Sequence, residues 1–170
     1  QDRPRGRGVA GAAGGLRLRA AIESLQRTTF DALSRRHLRP VTVAVLDSGV
    51  DKTHEMFAGG KVVAEACHST TGGGSTSVCP GGANSTEAGS GVNCPSSLGD
   101  GCTHGTHVAG IAAGNASGLK GVAPGAGVIA IQVFSAFGAS SCTGGSPCVL
   151  AWTSDQILGL ERVLALSGSR

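Results

Sequence analysis

Apolar and polar positions change rhythm several times along the chain. In residues 16–38, Leu18, Ile22, Leu25 and Leu33 recur close to helical spacing, which predicts an amphipathic helix ended by Pro40. The next run, VTVAVL at 41–46, is short and apolar with a β-branched residue at alternate positions, as in a strand buried on both faces of a parallel sheet. Asp47-Ser48-Gly49 closes it with a turn signal. KVVAEA at 61–66 and VIAIQVF at 128–134 predict two further strands. Between them, HGTHVAGIAAG at 104–114 reads as a short helix of small residues, whose Gly105, Gly110 and alanines allow close approach to a sheet. Near the end, Thr153 and Gln156 fit a Thr-x-x-Gln capping box. Ile157, Leu160, Val163 and Leu164 supply one face of the helix it opens, and Gly168 a stop. The order β, β, α, β, α makes this an α/β protein.

Residues 68–103 break the rhythm, being dominated by Gly, Ser, Thr, Asn and Cys. A stretch of that length without regular structure is rare inside a compact domain unless it is functional or stapled. Staples are at hand, because Cys67, Cys79, Cys94 and Cys102 bracket or interrupt it, and Cys142 and Cys148 follow. An even count in such surroundings favours disulfides and an oxidising compartment, with fifteen pairings open.

Composition narrows the class. The 170 residues are 40% hydrophobic with 29 glycines, 3% aromatics and no tyrosine, so the core is built from Val, Ile, Leu and Ala. No apolar run reaches the roughly 18 residues of a membrane-spanning helix, and the glycines have no three-residue period, which excludes a collagen-like rod. Residues 1–40 carry nine arginines against three acids. Such an arm can attract nucleic acid or an anionic membrane, but no stacking aromatics interleave with the arginines. It reads as a solvated leader outside the folded core, and neither partner is expected.

Candidate chemistry sits at two places. Asp47 leaves a buried strand at its carboxyl end, where ligands gather in open α/β sheets; a capping or turn aspartate is the plainer reading. His104 and His107 open a helix at i and i+3, where the positive end of the helix dipole favours a neutral, proton-accepting imidazole. Structural histidines, or a metal site formed by Cys102, His104 and His107, are the competing readings.

Taken together, VTVAVLDSGVD with Asp47, THGTHVAGIAAG with His104, and GVAPGAGVIAIQV at 121–133 resemble the subtilisin-like serine proteases, over about residues 40–170. The layout is similar to secreted bacterial members with a cysteine-rich insert, here about 67–103, between the Asp and His motifs. The resemblance implies a three-layer α/β/α fold with a parallel sheet in which 61–66, 128–134 and 41–46 lie side by side, and a further strand beside Asp47's. It makes Asp47 the triad acid and His104 the general base, with His107 packed in the helix as a structural partner and Ser48, Gly49 and Gly105 as support. It implies cleavage of polypeptide substrates, a secreted location and no required cofactor. Calcium occurs in complete domains of the family, but GNASGLK at 114–120 offers no Asp or Glu to hold it.

One departure matters most. The family's serine lies in a Gly-Thr-Ser motif, and none of the serines in this sequence is set in one. Residues 41–170 are therefore expected to be the amino-terminal part of a peptidase domain, dependent on the nucleophile-bearing half and inactive alone. A non-catalytic binding or structural module of the same ancestry is the alternative.

Overall fold

A computed structural model describes residues 41–143 and 145–168, within the compact unit that spans Pro40–Arg170. The helix expected over 16–38 lies outside the described residues. Three parallel strands form the centre: β1 (Thr42–Asp47), β2 (Val62–Cys67) and β6 (Gly127–Gln132). Their order is β1-β6-β2, as the resemblance implied. Asp47 and Cys67 both pair in register with Gln132, so the three strands end level at their carboxyl ends.

Alternation along β6 divides the core. Val128 and Ala130 point into one cluster with Val45, Val50, Phe57, Ala109 and Ala113, and Ile129 and Ile131 into another with Ala66, Val133, Val163 and Leu166. The first face is covered by helix α1 (His104–Ala113) and the second by helix α2 (Thr153–Ser167). This is the helix–sheet–helix sandwich of an α/β fold. In α1, Gly105, Ala109, Gly110 and Ala113 are buried, so the small residues do face inward.

Four local readings change. The 128–134 run is not one strand: it breaks at Val133, and β7 (Phe134–Phe137) joins an antiparallel sheet, order β3-β7-β8, with β3 (Ser75–Ser77) and β8 (Cys148–Ala151). At the break, the Gln132 side-chain oxygen accepts the Phe134 N–H. The capping box at Thr153 does not form. Trp152 is the N-cap, and its carbonyl accepts from Asp155 N and Gln156 N. Helix α2 also turns a different face inward. Asp155 and Gly159 are buried, whereas Ile157, Leu160 and Leu164 are 50%, 60% and 72% exposed. A Cβ on Gly159 would meet Leu46 Cδ2 at 2.9 Å and Val133 Cγ1 at 3.1 Å, so closest approach selects the glycine side.

The insert, finally, is stapled but not structureless. Disulfides Cys67–Cys79 and Cys94–Cys102 close two loops of it, and it holds β3 and short 3-10 turns. Cys142–Cys148 closes the loop before β8. The 114–120 segment is a two-stranded hairpin, β4 (Asn115–Ala116) with β5 (Leu119–Lys120).

Candidate active site

Strand β1 delivers Asp47 to the carboxyl end of the sheet, and α1 begins at His104 on the same side. The two side chains meet there: His104 Nδ1 lies 2.9 Å from each oxygen of the Asp47 carboxylate. The carboxylate is largely enclosed, its side chain 12% exposed, while the imidazole is 63% exposed. The Ser48 N–H donates to Asp47 Oδ1 at 2.7 Å, which offsets part of the cost of enclosing the charge. With Nδ1 engaged, Nε2 is the nitrogen left to exchange a proton with another molecule.

The supporting residues have separate tasks. Ser48 is fully buried, and its Oγ accepts the Gly105 N–H at 3.0 Å, tying the turn after β1 to the first turn of α1. Gly49 has φ of +88°, and a Cβ there would stand 2.0 Å from the Val92 carbonyl oxygen. A Cβ on Gly105 would stand 2.2 Å from the Gly49 carbonyl oxygen. Glycine at 49 lets the Val92 backbone seat against the turn, and glycine at 105 lets the helix touch it.

Sequence reasoning missed two members of this corner. Thr106 Oγ1 accepts the Asp51 N–H at 2.9 Å and donates to Asn93 Oδ1 at 2.9 Å. The Thr53 hydroxyl, donating to the Asp51 carboxylate at 2.6 Å, holds that acid below its ordinary value. Thr106 stands inside the His-Gly-Thr-His run and could have been suspected; Asn93, in the irregular insert, gave no signal.

His107 is exposed, whereas the resemblance implied a packed structural partner; it lies on the part of α1 turned away from the sheet. The alternative metal set loses its thiolate, because Cys102 is bonded to Cys94. Among the described residues no group of three His, Cys, Asp or Glu side chains is placed to hold a metal ion, and no helix is long and apolar enough to cross a membrane. On the α2 side of Asp47 a cleft of about 280 Å³ is lined by Leu46, Asp47, Val133, Phe134, Ala151, Gln156 and Leu160.

Compared with known protein families, residues 39–146, more than half of the chain, match the family model described as "Subtilase family". No curated protein and no solved structure matches the chain.

Proposed function

The chain belongs to the subtilase family of serine peptidases, and from that premise we propose that Asp47 and His104 are the acid and the general base of an Asp-His-Ser triad in a secreted endopeptidase. The contact of His104 Nδ1 with the Asp47 carboxylate at 2.9 Å carries the reading. Such a carboxylate fixes the tautomer, with the proton on Nδ1 and the lone pair on Nε2, and stabilises the imidazolium once Nε2 has taken the serine proton. The same nitrogen then returns the proton to the leaving amine of the cleaved peptide. The exposure of the imidazole suits a group that must meet a nucleophile and a substrate. Three disulfides fit folding in an oxidising compartment.

None of the serines within these 170 residues stands in the family's nucleophile motif, so the residues in hand form no acyl-enzyme by themselves. The reading frame beyond Arg170 is the first test. A Gly-Thr-Ser motif within one further domain length supports the peptidase, whereas an immediate stop codon favours the non-catalytic module. The second test is kinetic. In the protein that includes the nucleophile, Asp47→Asn lowers kcat for peptide hydrolysis by about 10⁴-fold, the scale set by the loss of a triad carboxylate. Turnover within a few-fold of the parent would remove Asp47 from the mechanism.

A further inference from the structure

We propose that the insert segment 91–94, with its disulfide to Cys102, is a positioning element that, beside the direct Ser48–Gly105 and Asp51–Thr106 hydrogen bonds, is needed to hold the Asp47 turn against His104. This rests on the reading of those two residues as acid and base. The segment engages both sides of the pair. Toward the Asp47 turn, the Gly91 carbonyl accepts the Val50 N–H at 2.9 Å, and the Cys94 N–H donates to the Ser48 carbonyl at 3.1 Å. The Val92 carbonyl fills the space where Gly49 has no side chain. Toward the helix, Asn93 Oδ1 accepts the Thr106 hydroxyl at 2.9 Å, and Cys94 is bonded to Cys102, two residues before His104. Gly91 seats the segment on the sheet, since a Cβ there would lie 2.3 Å from the Ala130 carbonyl oxygen of β6. Both cysteines are buried, at 3% and 1% exposure. Segment 91–94 thus spans the only two pieces of chain that the acid–base pair requires to stay together, and the disulfide closes that bracket covalently.

General stabilisation is the competing account, and the loops separate the two. Cys67–Cys79 closes the longer loop, with a sequence separation of 12 against 8, and longer loops gain more from cross-linking. Neither Cys67 nor Cys79 hydrogen-bonds to the Asp47 turn or to α1 among the described residues. A purely stabilising role predicts that removing Cys67–Cys79 hurts the site at least as much.

The test follows the low-field imidazole N–H resonance of His104 by proton NMR in the full chain, assigned by its loss in Asp47→Ala, with circular dichroism to monitor folding. In the Cys94→Ala/Cys102→Ala variant the resonance is expected to vanish while the folded spectrum persists; in Cys67→Ala/Cys79→Ala it is expected to remain. Asn93→Ala, which keeps every disulfide, serves if the first variant does not fold, and loss of the resonance there supports the same conclusion. Persistence of the resonance in folded Cys94→Ala/Cys102→Ala, or in Asn93→Ala when that is the variant read, overturns the proposal. Equal loss in folded Cys67→Ala/Cys79→Ala overturns it as well. Absence of the resonance from the parent chain overturns the acid–base pairing itself, a result distinct from failure of the bracket.

Discussion

His68 and His104 carry the same side chain into opposite surroundings. His104 presents Nδ1 to a carboxylate and stays mostly exposed, whereas His68 is 9% exposed and neither ring nitrogen has a hydrogen-bond partner among the described residues. Burial holds the His68 imidazole below the ordinary histidine value, against the pull of Asp155 and Glu161 and together with the repulsion of Arg162. An unfolded chain therefore binds a proton at His68 more readily than the folded one. Stability from this residue is complete above an ordinary histidine pKa of roughly 6.5 and is lost as pH falls from there toward the depressed folded value, below which the loss levels off. Melting temperature measured between pH 7 and 5 should fall in the parent and fall less in His68→Leu; parallel curves would show that another group dominates. Gly105 poses a steric question at the same scale. Its missing Cβ is what lets α1 rest on the Gly49 carbonyl, with Asp47 Cβ only 3.1 Å from the position a methyl would take. Gly105→Ala should cost about 1–3 kcal/mol in urea unfolding, the usual range for overpacking, and it should separate His104 from Asp47. A neutral substitution would mean that α1 can shift freely.

Helix α2 shows how far local pattern carries and where it stops. Its existence is legible in the spacing of apolar residues, but its inward face is set by a contact that no window of sequence contains. Asp155 is 1% exposed, and its carboxylate accepts from Thr70 N at 3.0 Å and from Thr70 Oγ1 at 2.9 Å. A partner 85 positions away turns a residue that periodicity assigns to solvent into the anchor of the helix. The apolar residues Ile157, Leu160 and Leu164 are left outside as a result. Asp155→Ala leaves the Thr70 hydroxyl without its acceptor, while the Thr70 N–H keeps Ser135 Oγ at 3.0 Å, and should destabilise the fold by about 1–3 kcal/mol, as for a polar group left unpaired. An unchanged denaturation midpoint would mean that α2 is held by the packing of Gly159, Val163 and Leu166. Strands β1 and β2, by contrast, are legible to within one residue, since VTVAVL and KVVAEA announce themselves by β-branching, whereas the 128–134 run gives no sign of its break at Val133. Asp47 and His104 stand out because one ends such a strand and the other opens a run of small residues, but position alone leaves a turn aspartate and a structural histidine open, and only the resemblance to subtilisin-like proteases pairs them. The disulfide pairing and the role of Asn93 are not legible, because a Gly- and Ser-rich insert carries no period from which spatial neighbours follow.

At the scale of the molecule, the position of β1 has a cost. It lies at the edge of the parallel sheet, and an apolar edge strand invites pairing with another chain. The cleft of about 280 Å³ between β1 and α2, floored by Leu46 and walled by Leu160, runs into the helix face on which Ile157, Leu160 and Leu164 are exposed. Among the described residues, then, an edge strand, an apolar cleft and an apolar helix stripe lie next to one another. The exposed apolar stripe of Ile157, Leu160 and Leu164 is expected to drive self-association of the 170-residue chain. Sedimentation velocity should show the average mass rising with concentration, and Leu160→Lys should shift the distribution toward monomer. Because Leu160 is 60% exposed, the substitution should change folding stability by no more than about 0.5 kcal/mol, so a gain in monomer would report on the surface and not on the fold. A monodisperse monomer with one sharp thermal transition across the concentration range would show instead that the stripe does not drive association.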